Sequence, residues 1–249
     1  YAGLPTGLGY LSEALAKAGI EHKIVDMCLD VKESSLTKSI KAFGPDLIGI
    51  SMMSFRYKDH YALIERIRAN FKDVGIIAGG PHVSTFRERV LKDCSAIDFG
   101  STLEGEDTFI ELCYGNKDIP SIKGLLYRDQ GQILYTGDRG FIQDLDSTGF
   151  PKYEFFEKER YPKFISLLTS RGCPHSCIFC PVQLTIGKRL RMRSAISVVN
   201  EIEYWYRKGV SVFNIVDDNF TFNKRRVLDI CAEIEKKDIK DITLSCRNG

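Results

Sequence analysis

The 249 residues carry 35 Lys and Arg against 33 Asp and Glu, a formal net charge of +2, and are 43% hydrophobic and 27% charged. Nothing in that balance argues for a nucleic-acid or membrane surface, and no apolar run approaches the roughly 20 residues of a membrane span. Eight cysteines in a chain of this length are too sparse for a disulfide scaffold, so the thiols are read as reduced, in a cytoplasmic compartment, and free for metal or redox work.

The opening YAGLPTGLGYL has neither the basic region nor the cleavage site of a signal peptide. Helices are predicted near residues 8–18, 33–43, 58–70, 83–92 and 105–114, with Gly19 placed to stop the first. Apolar strands are predicted between them, at 22–27, 46–51, 74–78 and 96–99. This alternation reads as an α/β doubly wound parallel sheet. Such a sheet normally starts with a strand, and here the first element is a helix, so the first strand is expected to be missing. Residues 119–163 read as a hairpin, LLYRDQGQILY turning at Asp129-Gln130-Gly131, and an aromatic linker, FIQDLDSTGFPKYEFF. From residue 164 the βα rhythm resumes. FISLLTS is a strand and leads to a cysteine-rich loop; Ser194 caps a helix that Gly209 stops; VSVFNIV is a strand; DDNFT is a loop; Asn223 caps a helix; ITLSC is a strand. The organisation is therefore read as 1–118, 119–163 and 164–249. The last part is roughly half of what a six- to eight-unit βα barrel needs at ~30 residues per unit, so a C-terminally truncated partial barrel is expected.

The loop SRGCPHSCIFCPV places Cys173, Cys177 and Cys180 at C-x3-C-x2-C spacing. Three readings compete. Buried structural thiols fit poorly, because Gly172, Pro174 and Pro181 break helix and strand. Structural zinc wants four ligands, and His175 lies inside the loop, where it can hardly close a tetrahedron with its own neighbours. An iron–sulfur cluster accepts three thiolates and leaves its fourth iron open. The other cysteines, Cys28, Cys94, Cys113, Cys231 and Cys246, are isolated and read as small hydrophobes. Cys246 stands out only because it ends a strand beside the cysteine loop.

This spacing after a buried strand, with aromatic Phe179 just before the last cysteine, resembles the radical S-adenosylmethionine (SAM) superfamily. The resemblance implies a 4Fe-4S cluster on Cys173, Cys177 and Cys180, with SAM chelating the open iron and cleaved reductively to a 5′-deoxyadenosyl radical. It also implies that the Phe179 backbone meets the adenine, and that the loop Asp217-Asp218-Asn219-Phe220 binds the SAM amino group. Helix-entry polarity ahead of Asn223 is the alternative reading of Asp217 and Asp218. Arg191 and Arg193 fall where this family carries arginines, and read equally as a solvated basic face. Arg247 ends the third strand, where it could face the cavity.

An α/β sheet binds its ligand outside the C-terminal strand ends. Here those loops are GLPTGLG, SMMSFRY, AGGPHVS and GSTLEGED, each rich in Gly, Ser or Thr. Gly7-Leu8-Gly9 with Ser12, and Asp26 at the next strand end, half-match a dinucleotide fingerprint but lack its third glycine. The four loops followed by the cysteine half resemble the cobalamin-dependent radical SAM family. PTGLGYLSEALAKAG matches its opening helix, AGGPH and EGEDTF its strand-end loops, and QDLDSTGFPKYEFF its linker. The resemblance implies cobalamin contacts from Ser51, Ser54, Gly79, Gly80, His82, Glu104 and Gly105. None of His22, His60, His82 or His175 stands in a D-x-H-x-x-G motif, so cobalamin would lack that histidine ligand, and a domain that has lost cobalamin also fits. For His82 a turn histidine bonded to backbone is the competing reading.

The resemblance implies an enzyme. Its radical would take hydrogen from a weakly activated carbon, methylcobalamin would donate a methyl group, and a second SAM would restore it. Other members perform ring formation or rearrangement. A tRNA methylthiotransferase, with a second cluster on Cys28, Cys94 and Cys113, is a rival, although Cys94 and Cys113 fall in or beside helices. A non-catalytic corrinoid or cluster carrier is another. The expected partners are a small-molecule or biosynthetic-intermediate substrate and a flavodoxin or ferredoxin, with no nucleic acid and no membrane.

Overall fold

A computed structural model describes residues 3–248. The chain divides into two compact units: Ala14–Phe141 form one, and the residues up to Glu13 together with those from Ile142 form the other. No helix among the described residues is long and apolar enough to cross a membrane.

Helix α1 (Thr6–Lys17) starts in the second unit and ends in the first. The first unit continues with α2 (Glu33–Phe43), β1 (Leu47–Ser51), α3 (Tyr57–Asn70), β2 (Gly75–Gly79), α4 (Pro81–Phe86), α5 (Glu88–Asp93), β3 (Phe99–Ser101), α6 (Glu106–Tyr114), β4 (Leu125–Asp129) and β5 (Gln132–Tyr135). The strands form one sheet in the order β1-β2-β3-β4-β5, parallel through β3 and antiparallel beyond it. Strand β2 is the apolar run GIIAG, buried on both faces, as a parallel strand flanked on both sides requires. Ile76 and Ala78 point into a core with Met52, Ile64, Val83 and Leu91, whereas Ile77 joins Ile122 and Leu125 on the opposite side.

Three expectations change. The segment 22–27 belongs to none of the sheets; it runs as coil into a 3-10 turn at Met27–Leu29, with no residue of the 22–27 segment buried. A strand needs a ladder as well as apolar side chains, and this segment joins none. The helix expected at 83–92 is broken at Arg87, whose φ is 48°. Its guanidinium bonds Asp138 at 3.0 Å and lies 5.1 Å from the centre of the Tyr135 ring, so ties to the end of β5 and the residues after it hold Arg87 off the helical path. The hairpin, read from sequence as part of the interdomain segment, extends the first sheet. Its turn has positive φ at both Gln130 and Gly131, the twist that matches paired strands.

The second unit contains β6 (Ile165–Leu167), β7 (Ser170–Arg171), α7 (Val182–Thr185), β8 (Arg191–Met192), α8 (Ala195–Tyr206), β9 (Val212–Ile215), α9 (Lys224–Lys236) and β10 (Thr243–Cys246). A parallel sheet runs β10-β9-β6, and β7 and β8 form a separate antiparallel ribbon. Both expected caps are present: Ser194 Oγ accepts from Ser197 N–H at 3.1 Å, and Asn223 Oδ1 from Arg226 N–H at 3.1 Å. Helix α8 buries Val198, Val199, Ile202 and Trp205, and with them Glu201. That carboxylate pairs with Arg193, both side chains being 1% exposed. Burial pushes Glu201 up to about 7 although Arg193 pulls it down.

Two outcomes follow. Gly80, at φ 90° and ψ −173°, has a Cβ position only 3.0 Å from Met52 O. Gly80→Ala is expected to cost about 1–3 kcal/mol in denaturant unfolding, and an unchanged midpoint would contradict this geometry. Glu201 holds its proton more tightly when folded, so its contribution is full below pH 4.5 and lost as pH rises toward about 7. Between pH 4.5 and 7.5 the native chain should therefore lose more stability than Glu201→Gln. Parallel stability curves for the two proteins would refute this.

Candidate functional site

The cysteine loop is the connection of the β7–β8 ribbon. Ser170 pairs with Met192 and Arg171 with Arg191, and the chain between them forms the loop. Gly172 opens it at φ 91°, with its Cβ position 2.4 Å from Arg189 O, so the two sides touch where only glycine fits. Cys173 N–H donates to Gly187 O at 3.2 Å, and Arg191 Nη2 holds Ile186 O at 3.0 Å. Within the loop Cys180 N–H bonds Cys177 O at 3.1 Å, and the Gln183 side-chain amide donates to His175 O at 2.6 Å. Cys173 is half-buried, Cys177 and Cys180 are exposed, and all three are free thiols. Phe179, between them, is 86% exposed.

Among the described residues no three His, Cys, Asp or Glu side chains gather around one metal-sized point. The structure thus supplies the donor set rather than a coordination polyhedron. That set fits an iron–sulfur cluster: three unpaired soft donors on one eight-residue stretch, none engaged elsewhere by a disulfide. His175 is used otherwise, its ring packing edge-on to Phe222 at 6.0 Å between centres.

The base of the loop is held by buried polar side chains acting on residues 168–170. Asp217, 1% exposed, accepts from Thr169 N–H and Thr169 Oγ1 at 2.6 Å each, and from Ser170 Oγ at 2.6 Å. Leu168 O accepts from Tyr10 OH at 3.3 Å and Arg193 Nη1 at 3.2 Å. Thr169 O accepts from Arg226 Nη2 at 2.7 Å. Sequence reasoning missed Tyr10, Thr169 and Arg226; for Arg226 the available signal was its place one turn before Ile230 and two before Ile234 on the apolar stripe of its helix.

These contacts revise the expected SAM set. Asp217 is buried, and both of its carboxylate oxygens accept hydrogen bonds from Thr169 and Ser170 inside the unit. Asp218 and Asn219 are half-buried, and burial together with Asp217 pushes the Asp218 carboxyl up. The His175–Phe222 contact brings the turn following Asn219 against the cysteine loop. Arg191 and Arg193 are buried, not a solvated basic face. Arg247 and Cys246 are exposed at the end of edge strand β10.

In the first unit the expected residues gather at the C-terminal ends of β1, β2 and β3. Met52 N–H bonds Gly79 O at 2.8 Å and His82 N–H bonds Met52 O at 3.1 Å, tying two of the loops. Leu103 N–H donates to Ser84 Oγ at 2.8 Å, tying the third. His82 is a packed histidine: its ring nitrogens bond Tyr61 OH at 3.1 Å and Ser54 Oγ at 3.3 Å, and it stacks on Tyr57. Both nitrogens are occupied, and burial lowers its pKa, so the contact to a ligand expected of it is not what the structure shows. Ser51 and Ser54 are exposed, and Glu104 and Gly105 half-buried. Ser101 Oγ, at the end of β3, is buried with no hydrogen-bond partner. It lies beneath Gly105, whose Cβ position is 2.8 Å away, and beside Gly79, whose Cβ position is 3.8 Å from the Ser101 side chain. An orphaned hydroxyl among side-chain-free strand ends fits a ligand approached by backbone, as a corrinoid here would be. The candidate second cluster finds no such support. Cys94 is in the core, Cys113 half-buried on α6 and Cys28 exposed on a different segment.

The B12 binding domain family matches residues 1–113, and the Radical SAM superfamily matches residues 167–249. An uncharacterized methyltransferase of Pyrococcus horikoshii is 33% identical over 248 residues, covering 95% of this chain and 53% of the relative. The chain thus spans about half the length of that relative. The radical enzyme OxsB, solved with aqua-cobalamin and S-adenosylmethionine bound, superposes with a TM-score of 0.84 at 21% identity, over 98% of this chain and 36% of that one. The methyltransferase TsrM of Kitasatospora setae, solved with cobalamin and a [4Fe-4S] cluster, gives 0.80 at 18% identity, over 98% and 51%. Those likenesses establish the fold. With a B12-binding domain followed by a radical SAM domain, the chain belongs to the cobalamin-dependent radical SAM family.

Proposed function

We propose that this chain forms the cofactor-bearing part of a cobalamin-dependent radical SAM methyltransferase that acts on an unactivated carbon of a small molecule. The observation that carries the reading is the set of three unpaired thiols on one loop whose base is pinned by buried side chains. When bound, the cluster and SAM supply a 5′-deoxyadenosyl radical, and cobalamin supplies a transferable methyl group.

Cys173, Cys177 and Cys180 hold the cluster through thiolate sulfur. The Phe179 backbone, Asp218 and Asn219 bind SAM, with Asp217 supporting them from behind. Ser51, Gly79, Gly80, Glu104 and Gly105 form the corrinoid-facing edge, with Ser101 as an added donor. No histidine stands in a D-x-H-x-x-G motif, so the corrinoid is held without a ligand of that kind. A flavodoxin- or ferredoxin-type donor delivers the electron.

Anaerobic reconstitution with iron, sulfide and hydroxocobalamin, then reduction with SAM, should yield 5′-deoxyadenosine and a corrinoid spectrum that survives gel filtration. Absence of 5′-deoxyadenosine defeats the radical chemistry; absence of retained corrinoid defeats the methyl-transfer half alone. Iron should reach about four per chain in the native protein, as a cubane cluster requires. Cys177→Ser should lose most of it, while Cys231→Ser, at an exposed site on α9, keeps it. Equal iron in both variants would place the cluster elsewhere.

A further inference from the structure

Arg226 is buried where a hydrophobic side chain would be expected. It lies on α9 one turn before Ile230 and two before Ile234, on the stripe that faces inward, and is 8% exposed. A guanidinium loses its hydration there, and an apolar side chain would pack the same stripe without that cost. Its two bonds show what the charge accomplishes. Nη2 donates to Thr169 O at 2.7 Å, and Nε donates to Arg193 O at 2.9 Å. Thr169 is the residue just before β7, and Arg193 the residue just after β8. One planar fork therefore holds both the chain entering the cysteine loop and the chain leaving it. A backbone bond from Arg193 N–H to Thr169 O at 3.0 Å closes the same point, and Asp217 grips Thr169 from its amide side.

We infer that Arg226 is a positioning residue, a staple that fixes the separation of the two ribbon strands and thereby the placement of Cys173 relative to Cys177 and Cys180. The inference rests on the reading of those thiols as cluster ligands. Lysine at 226 keeps the charge but offers one rotating ammonium in place of a rigid fork, so it cannot hold both carbonyls in the same geometry. Arg225 is the natural control: it is exposed and pairs with Asp229 on the surface of α9.

The test compares native protein, Arg226→Lys, Arg226→Met and Arg225→Lys. The readouts are the melting temperature of the apoprotein, iron per chain after anaerobic reconstitution and gel filtration, and the EPR signal of the reduced cluster with and without SAM. Arg226→Lys should melt within a few degrees of native protein. It should nevertheless keep under about half the iron, as expected when loss of a supporting partner weakens metal affinity about 10–100-fold. Its remaining cluster should show a diminished SAM-induced EPR change. Arg225→Lys should match native protein in all three. Native iron content and an unaltered EPR response in Arg226→Lys would overturn the inference, whether or not Arg226→Met folds. Should native protein itself bind no iron, the cluster reading fails separately. Amide exchange in the apoprotein then decides for the staple: Arg226→Lys should speed exchange of Cys173 and Arg193 N–H roughly tenfold relative to β9, and equal rates would refute it.

Discussion

A carboxylate taken out of water must find donors, and Asp217 finds them all on two consecutive residues. Thr169 gives its amide and hydroxyl, Ser170 its hydroxyl, each at 2.6 Å. Leaving such a group unpaired costs more than an ordinary hydrogen bond returns, so the end of β9 and the exit of β6 are locked into one arrangement. The parallel register of β6 on β9 brings the two together, because Leu167 lies opposite Ile215, two residues before each partner. The cysteine loop starts just beyond the locked segment, and its start is therefore defined by the interior of the fold and not by the loop itself.

The same logic extends outward in layers. Arg193 and Arg226 bring two positive charges to the carbonyls of residues 168 and 169, while Asp217 supplies a negative one and Glu201, its pKa raised by burial, pairs with Arg193. Charge buried at this density is retained where position matters more than raw stability, since apolar substitutes would pack as well. The first unit solves its problem differently. Its strand ends use glycine and small hydroxyls, so that backbone itself forms the edge, and its one buried histidine is spent on packing among Tyr57, Tyr61 and Phe86. Under the proposed function, a flat macrocycle and a compact cluster would place these different demands on their binding loops: open backbone in one case, a rigidly based tether in the other.

The periodic and capped parts of this architecture were legible in sequence. Ser194 and Asn223 cap the helices they precede, and the apolar runs at 46–51 and 74–78 are strands within a residue or two. What was not legible depended on tertiary partners. The segment 22–27, with Ile24, Val25 and Met27, is apolar enough for a strand but has no ladder to join. Arg87 interrupts a helical pattern because of groups at Tyr135 and Asp138, far along the chain. The β7–β8 ribbon has two residues per strand, too short for any periodicity. At the site, the cysteine spacing announced itself, since three thiols within eight residues of a Pro- and Gly-rich stretch serve few other ends. Asp217 did not: two adjacent aspartates look alike in sequence, and only the fold turns one inward and leaves the other near the surface. Arg193 and Arg226 are likewise indistinguishable from surface arginines until the elements around them are packed.

The proposed function converges on a loop that offers three sulfurs and would leave one metal position for the small molecule. Mössbauer spectroscopy of protein reconstituted with iron-57, recorded before and after addition of SAM, addresses that statement directly. The account expects one iron in four to change its isomer shift on binding while the other three keep theirs. Four irons that all remain unchanged, or a cluster whose every iron is held by a protein side chain, would contradict it.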